Sequence, residues 1–287
     1  MKRDFLTLAD LTLAEHEALY HRAVELKRAR LQPTLAGKIL CLVFEKASTR
    51  TRLSFEAGML QLGGQVVVLD TKSSQLGRGE PIEDTARVTS RYVDAIMFRT
   101  FGDDRLRAFA AASTVPVING LSDGGHPVQL LADLMTVRER LGPLPGKRVA
   151  WLGDGASNMA ASWVEAAALF GFELRIAAPP GYRLPGVPHY TIEEAVRGAD
   201  VVSTDVWTSM GQEAESAQRT RDLDGYMLDA AALALAKPTA IVLHCLPAHR
   251  GEEITAEVLE GPQSAVWDEA ENRMHAQKAL LELLLRG

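Results

Sequence analysis

Short apolar runs alternate with amphipathic helical patterns along almost the whole of this chain. Such alternation is typical of strand–helix units, in which helices cover both faces of a parallel sheet. It therefore predicts an α/β fold. The predicted strands cover residues 39–44, 65–69, 94–98, 115–118, 148–152, 173–177, 200–203 and 240–244. The predicted helices cover residues 9–31, 51–62, 81–91, 103–111, 127–141, 192–197 and 272–286, with a further one running through Trp163 and Leu169.

Residues 142–147, with the sequence GPLPGK, interrupt this pattern. Glycine and proline at this density are typical of a link between domains, and the strand–helix plan resumes at Arg148. We therefore predict two similar domains, each a parallel sheet flanked by helices, joined by interdomain helices. The domains are expected at residues 1–141 and 148–271, with a C-terminal helix at 272–287 that packs back toward the first domain.

The composition argues against several classes of protein. A net charge of −6 over 287 residues argues against a general nucleic-acid binder, which needs a basic face for phosphates. With only two cysteines, Cys41 and Cys245, a disulfide framework is excluded and a reducing, cytoplasmic setting is expected. No apolar stretch has the length of a signal or transmembrane segment, so no membrane partner is expected.

Residues 48–52, Ser-Thr-Arg-Thr-Arg, follow the apolar run 39–44 and open the next predicted helix. Free backbone N–H groups and the positive end of the helix dipole would meet hydroxyls and a guanidinium at this point. Such a site binds anions, and an arginine fork suits phosphate oxygens. The same residues also suit a plain Ser/Thr-capped helix with two solvated arginines. Motifs farther along the chain favour the anion site.

Polar residues also follow other predicted strands, where ligands of such sheets bind. Arg99 ends an apolar strand, although an arginine in this position is more often a solvated cap. His126 and Gln129 lie three positions apart and could donate jointly to a carbonyl oxygen. A capping histidine with an exposed glutamine is the alternative. Asp205 and Ser209 share a further loop, which brings a carboxylate and a hydroxyl together.

The segment His244-Cys245-Leu246-Pro247 ends another apolar run. His244, Cys245 and His249 lack a standard metal-ligand spacing, so no metal site is predicted. Cys245 could be a thiol nucleophile, or it could be a small buried packing residue. The Leu246–Pro247 bond could be cis, which would turn the chain sharply and expose carbonyl groups to a ligand.

Taken in order along the chain, these motifs resemble those of the aspartate/ornithine carbamoyltransferase family. Two segments are similar to motifs that both branches of that family share. They are residues 48–52 with Ser54-Phe55-Glu56, and His126-Pro127-x-Gln129. The loop at 205–211 and the segment at 244–247 resemble the ornithine branch. The resemblance implies transfer of the carbamoyl group of carbamoyl phosphate to the δ-amino group of L-ornithine. The products would be L-citrulline and phosphate, as in arginine biosynthesis.

The resemblance also implies a role for each matched position. The phosphate of carbamoyl phosphate would be held by Ser48, Thr49, Arg50 and Thr51. Its carbonyl and bridging oxygens would be engaged by Arg99, His126 and Gln129, with a further positive charge from Arg273. The amino-acid substrate would be bound by Asn158, Asp205, Ser209 and Met210. The carbamoyl carbon and the attacking amine would lie beside Cys245 and Leu246.

In such an enzyme the catalytic residues would be Arg99, His126, Asp205 and Cys245. The δ-amine must attack as a neutral amine, and negative charge on the carbonyl oxygen would be met by positioned donors. No covalent intermediate is required, so Cys245 is expected to orient the substrate rather than attack it. The resemblance implies neither a metal nor a cofactor.

Members of the family are trimers with sites at subunit interfaces. The resemblance therefore implies a homotrimer or a higher assembly of trimers. Gln75, in the loop after the second predicted strand, would then reach into the site of a neighbouring subunit.

Alternatives of other kinds stay open at this point. The acceptor could be another amine, such as N-acetylornithine or putrescine, although a carboxylate at Asp205 favours a free α-amino group. The chain could also be a catalytically silent subunit that binds carbamoyl phosphate. A nicotinamide-dependent dehydrogenase would use Gly153-x-Gly155, but the fingerprint lacks its third glycine and leaves the other motifs without a function.

Overall fold

A computed structural model of the chain describes residues 2–70, 75–209 and 211–286. The chain forms two compact units. Unit 1 consists of Met1–Ala132 together with Asn272–Gly287, and unit 2 consists of Asp133–Glu271. Each unit contains a four-stranded parallel sheet, as the alternation of apolar runs and helical patterns predicts.

The strands of unit 1 are β1 (Ile39–Phe44), β2 (Gln65–Asp70), β3 (Ala95–Arg99) and β4 (Val117–Leu121). They lie in the order β2–β1–β3–β4. The helices that connect and flank them are α1 (Leu13–Arg28), α2 (Thr49–Gln61), α3 (Ile82–Thr89) and α4 (Asp103–Ala112).

The core of unit 1 lies against β1, β3 and β4, which are almost completely buried. Phe98 of β3 packs against Phe109 of α4 with 4.6 Å between ring centroids. The N-terminal segment covers β4, because the Phe5 N–H donates to the Val117 carbonyl and the Asn119 N–H donates to the Phe5 carbonyl, both at 2.8 Å. At the other edge, β2 stays partly exposed.

The strands of unit 2 are β5 (Arg148–Leu152), β6 (Glu173–Ala177), β7 (Val201–Thr204) and β8 (Ile241–His244). Their order, β6–β5–β7–β8, repeats that of unit 1. The remaining helices are α5 (Pro127–Leu141), α6 (Asn158–Phe170), α7 (Ile192–Val196), α8 (Ser216–Leu223), α9 (Ala230–Leu233), α10 (Ala256–Leu259) and α11 (Val266–Arg286).

The chain passes from one unit to the other inside helices. The first boundary falls between Ala132 and Asp133, within α5, and the second between Glu271 and Asn272, within α11. The glycine- and proline-rich segment 142–147, where the sequence predicts the link, lies entirely in unit 2. A helix that continues across a boundary has no break in its pattern, so composition does not mark the position.

The strand order determines where polar side chains can gather. In each sheet the connection after the first strand runs to one neighbour, and the connection after the third runs to the other side. The loops after β1 and β3 therefore diverge, and so do the loops after β5 and β7. In open parallel sheets a ligand binds at this divergence, beyond the carboxyl ends of the strands.

Several element boundaries agree with the sequence pattern and others do not. The bounds of β1, β5 and β6 are as predicted. The last helix was predicted to begin at residue 272, which is wrong, because α11 begins at Val266. Asp268 and Glu269 lie in its first turn, where the helix dipole favours acidic side chains. The short helices α8, α9 and α10 were not predicted.

Gly155 has a packing function that explains why glycine is required there. A Cβ atom at this position would lie 2.8 Å from the Ala178 Cβ and 2.9 Å from the Ile176 Cγ2. The end of β6 therefore approaches the backbone after β5 too closely for any side chain. Since the chain itself fills this space, Gly155 gives no support to a dinucleotide fingerprint.

This contact predicts that Gly155→Ala destabilises the protein. Overpacking a closely packed position costs about 1–3 kcal/mol of the free energy of unfolding. Gly181→Ala is the matched control, because a Cβ atom there meets nothing within 4 Å. Denaturant unfolding of both variants should show a loss only for Gly155→Ala. Equal stability of the two variants would contradict the packing argument.

Candidate active site

The anion site predicted at residues 48–52 lies at the N-terminus of α2. Ser48 has an extended backbone and caps the helix, since its Oγ accepts a hydrogen bond from the Thr51 N–H at 3.2 Å. Thr51 is fully buried, and its hydroxyl accepts a hydrogen bond from Nη2 of Arg273 at 2.6 Å. A guanidinium from α11 therefore reaches the first turn of α2.

The two arginines of the motif differ in their surroundings. Arg50 is half-buried, and its Nε is buried without a hydrogen-bond partner among the described residues. Buried donors in native proteins almost always have partners, so this nitrogen is suited to an acceptor supplied by a ligand. Arg52 is exposed and pairs with Glu56 on the next turn of α2 at 3.1 Å. Arg50 is thus the arginine of this motif that is suited to anion binding.

Arg99 and His126 follow neighbouring strands of the same sheet. Arg99 ends β3 at a shift in register between Phe98 and Arg99, and irregularities of this kind redirect side chains near sites. His126 is buried and precedes α5, where its carbonyl accepts a hydrogen bond from the Gln129 N–H at 3.0 Å. Gln129 is also fully buried, so it is not the exposed residue of the alternative interpretation.

Electrostatics indicate that three of these side chains share one region. Burial lowers the pKa of the His126 imidazole well below its usual value, and the charges of Arg273 and Arg99 lower it further. The ring is therefore neutral near pH 7 and can donate one hydrogen bond to a substrate oxygen. The positive charge of this region comes from the arginines.

Glu45 and Lys46, which directly precede the predicted anion site at 48–52, were not identified from the sequence. Lys46 is nearly buried, forms an ion pair with Asp123 at 2.6 Å, and lies 4.3 Å from the ring centroid of Phe101. Glu45 accepts hydrogen bonds from Arg105 at 2.6 and 2.9 Å. These contacts connect the loops that follow β1, β3 and β4. The only signal in the sequence was a pair of charges directly after a buried strand.

Gln75 is exposed and precedes a short 3-10 helix, Leu76–Arg78. Its carbonyl accepts the Arg78 N–H at 2.8 Å and the Glu80 N–H at 3.2 Å. These bonds fix the backbone at the end of the loop. The role expected of the Gln75 side chain concerns a second subunit and stays a prediction.

In unit 2, Asp205 and Cys245 meet at the carboxyl ends of two neighbouring strands, β7 and β8. The Cys245 Sγ donates to Asp205 Oδ1 at 3.1 Å, and the Val206 N–H donates to the same oxygen at 2.8 Å. Burial raises the pKa of the Asp205 carboxyl. Burial and the neighbouring Asp205 also raise the pKa of the Cys245 thiol. The thiol is therefore protonated and a poor nucleophile.

The loop after β7 is held by a buried arginine that the sequence did not reveal. Arg219 of α8 donates from Nε to the Trp207 carbonyl at 2.6 Å and forms an ion pair with Asp154 after β5. Within the loop, the Ser209 N–H donates to Gln212 Oε1 at 3.1 Å. Met210, which was predicted to bind the amino acid, lies outside the described residues.

Asn158 is the first residue of α6 and is half-buried. Ser157 caps this helix, because its side chain accepts a hydrogen bond from the Ala160 N–H at 3.2 Å. Serine and asparagine cap helices about equally well. Serine at position 157 is therefore compatible with this start of α6.

The segment after β8 contains a cis peptide bond between Leu246 and Pro247, as the sequence suggested. Ligand atoms of Asp205, His244 and Cys245 lie within 4.8 Å of one another, close enough to hold a metal ion. However, the His244 ring nitrogens already contact Glu253 and the Leu246 N–H, both at 2.9 Å. Both ring nitrogens of His244 are therefore engaged by the protein itself.

Comparison with known proteins agrees with this arrangement. The family profile "Aspartate/ornithine carbamoyltransferase, carbamoyl-P binding domain" matches residues 3–139, and "Aspartate/ornithine carbamoyltransferase, Asp/Orn binding domain" matches residues 145–284. An ornithine carbamoyltransferase of Halorhodospira halophila is 56% identical over 299 residues, covering 99% of each chain.

Solved structures agree as well. The ornithine carbamoyltransferase of Pyrococcus furiosus superimposes with a TM-score of 0.94 at 43% identity, covering 100% of this chain and 98% of that one. A solved N-acetyl-L-ornithine transcarbamylase has a TM-score of 0.88 at 32% identity, covering 98% and 99% of the two chains. These similarities agree with the fold and with the residues at the strand ends. We conclude that the chain belongs to the aspartate/ornithine carbamoyltransferase family.

Proposed function

We propose that this protein transfers the carbamoyl group of carbamoyl phosphate to the δ-amino group of L-ornithine, giving L-citrulline and phosphate. The observation that carries the proposal is the hydrogen bond from Arg273 to Thr51 at the N-terminus of α2. It brings the guanidinium of Arg273 to the motif at 48–52, and this supports an anion site formed by distant parts of the chain. The relatives named ornithine carbamoyltransferase support the choice of reaction.

The phosphate would be held by Ser48, Thr49, Arg50 and Thr51. Free N–H groups at the start of α2 and the helix dipole favour an anion at this point. Arg50 would supply a charged hydrogen bond from its buried Nε, and Arg273 would add a second positive charge. Two cations matched to one doubly charged phosphate also stabilise the leaving group.

The carbonyl oxygen of the carbamoyl group would be met by Arg99, His126 and Gln129. As the amine attacks, negative charge grows on this oxygen, and fixed donors stabilise it without reorganising. Removal of one such donor costs about 3–4 kcal/mol of transition-state stabilisation in comparable sites. A neutral His126 donates without adding a third positive charge beside the two arginines.

The amino-acid substrate would be bound by Asn158, Asp205, Ser209 and Met210. The buried carboxyl of Asp205 lacks the solvation that stabilises its charge, and a cationic α-ammonium group would supply this stabilisation. An acetylated α-nitrogen carries no charge and would leave Asp205 uncompensated. The protonated Cys245 thiol and the backbone of Leu246 would lie beside the reacting atoms and orient them.

We further propose that the protein is a homotrimer or a higher assembly of trimers, and that Gln75 contributes to a neighbour's site. The support is apolar surface around the edge strand β2. Val67 of β2 is 46% exposed, and Leu53 and Leu60 of α2 are 58% and 63% exposed. The unpaired backbone groups of an exposed edge strand can bond to a strand of another chain, so such an edge is usually covered.

We propose the cytoplasm as the location of this reaction. Both cysteines, Cys41 and Cys245, are free thiols, which persist in a reducing compartment. Among the described helices, none is both long enough and apolar enough to cross a membrane.

Arg50→Ala should weaken carbamoyl phosphate binding by at least about tenfold, because a hydrogen bond to a charged group is lost. Arg52→Ala is the matched control, since Arg52 is exposed and forms an ion pair with Glu56 on the surface of α2. Isothermal titration calorimetry without ornithine measures both dissociation constants. Unchanged affinity in Arg50→Ala, or an equal loss in Arg52→Ala, would refute the phosphate assignment.

Asp205→Asn should raise the KM for ornithine by about tenfold or more, because a charged partner of the α-ammonium group is removed. The asparagine oxygen can still accept from Cys245 and Val206, so the loop should keep its shape. Carbamoyl phosphate affinity should not change. Asp224→Asn, at an exposed position after α8, serves as the control. Equal damage to both substrates would contradict the proposed role of Asp205.

Light scattering should give a native mass of about three times the 31.2 kDa chain mass, or a multiple of it. Leu60→Glu should dissociate the assembly, since it places a charge on the apolar surface near β2. Leu31→Glu is the control, because Leu31 is 76% exposed in the connection between α1 and β1. A monomeric wild-type protein would rule out the trimer.

A further inference from the structure

The side chain of His244 has no part in the proposed reaction, although it lies next to Cys245. His244 is the last residue of β8. Its side chain is fully buried and has a hydrogen-bond partner at each ring nitrogen. Nδ1 lies 2.9 Å from the Leu246 N–H, and Nε2 lies 2.9 Å from Oε1 of Glu253. The backbone N–H of His244 donates to Glu269 Oε2 at 2.8 Å, which fixes the end of the strand.

These partners determine where the ring proton lies. A backbone N–H can only donate, so Nδ1 must be the acceptor of the Leu246 bond and carries no proton. The ring proton is then on Nε2, which donates to the carboxylate of Glu253. Glu253 is itself fully buried, and its Oε1 also accepts the His249 N–H at 2.6 Å. The Leu246 N–H and Glu253 thus favour the same tautomer of His244, the one protonated at Nε2.

The backbone that His244 holds has an unusual conformation. Leu246 has a φ of +58°, in the left-handed region that non-glycine residues rarely adopt. Such a conformation persists only where its surroundings enforce it. The hydrogen bond from the Leu246 N–H to His244 is one such constraint. On the other side, the Cys245 thiol is bound to Asp205.

We propose that His244 and Glu253 are positioning residues for the acceptor amine. Glu253 holds the His244 tautomer, and His244 holds the turn that places Cys245 and Leu246 beside the reacting atoms. Neither side chain touches substrate. The proposal rests on the proposed carbamoyl transfer to ornithine and identifies what shapes the acceptor side of that site.

Two substitutions of His244 separate its two hydrogen bonds. His244→Asn keeps an acceptor near the position of Nδ1 for the Leu246 N–H and loses the contact with Glu253. His244→Gln keeps a donor near the position of Nε2 for Glu253 and loses the acceptor for Leu246. We expect kcat/KM for ornithine to fall about tenfold in His244→Gln and to stay within about threefold of wild type in His244→Asn.

The thermal stabilities of the two His244 variants should follow the opposite order to their activities. His244→Asn leaves the buried carboxylate of Glu253 without its ring donor, so its Tm should be the lower of the two. A purely structural role would make activity follow stability in both variants. Equal kinetic losses, or a greater loss in His244→Asn, would overturn the proposal. Affinity for inorganic phosphate, bound by residues of unit 1, should stay unchanged in both.

Substitutions of Glu253 provide a second test, which does not depend on the folding of the His244 variants. In Glu253→Gln the amide oxygen can still accept from His244 and from the His249 N–H, so kinetics should remain near wild type. Glu253→Ala should lower kcat/KM for ornithine about tenfold. Glu252→Ala is the control, because this neighbouring glutamate is partly exposed and contacts His249 at 3.5 Å. Wild-type kinetics in Glu253→Ala would overturn the proposal.

The tautomer can be measured without any reaction. In histidine-labelled wild-type protein, ¹⁵N chemical shifts should identify His244 as the form protonated at Nε2, with the signal assigned by its loss in His244→Gln. A proton on Nδ1 would refute the positioning proposal. Absence of citrulline formation by wild-type protein, together with the expected tautomer, would instead refute the proposed function.

Discussion

A parallel sheet that is covered by helices on both faces leaves polar side chains one place to gather, beyond the carboxyl ends of its strands. Both sheets of this protein follow that constraint, and both have the same strand order. Most residues matched to carbamoyl phosphate lie at or after the ends of β1, β3 and β4 of unit 1, and Arg273 of α11 belongs to the same unit. Those matched to the amino acid follow β5 and β7 of unit 2, and Cys245 and Leu246, matched to the reacting atoms, follow β8. Because one topology is repeated, each unit has its own set of polar side chains beyond the ends of its strands.

The charges of the two sets are complementary to the two proposed substrates. In unit 1, Lys46 is neutralised by Asp123, and the pKa of His126 is lowered by burial and by its cationic neighbours. The positive charge available to a phosphate therefore comes from the arginines. In unit 2, Arg219 is neutralised by Asp154, while Asp205 is buried with a thiol and a backbone N–H. Asp205 is thus suited to receive a cationic amine.

The sequence predicted features that depend on local physics. The bounds of β1 and the cap at Ser48 follow from apolar patterning and from the hydrogen-bonding needs of a helix terminus. The α/β class and two parallel sheets follow from the alternation of strands and helices. The family motifs further led to Arg273, although nothing in the sequence around this residue indicates that it contacts Thr51.

Contacts between distant segments could not be predicted in this way. Arg219 binds Asp154, and His244 binds Glu253, because the folded chain brings separate loops together. The start of α11 was missed for a related reason. Acidic residues at 268–271 suit a turn and a first helical turn equally well, and tertiary packing decides between them.

The most direct test of the account is citrulline formation by the purified protein from carbamoyl phosphate, with ornithine, N-acetylornithine, putrescine and aspartate as parallel acceptors. The buried carboxyl of Asp205 and the anion site at α2 predict turnover with ornithine and carbamoyl phosphate, and little with the other three amines. Turnover with another acceptor only would contradict the account of unit 2. No turnover with any acceptor, in protein that still binds carbamoyl phosphate, would contradict the assignment as an active transferase.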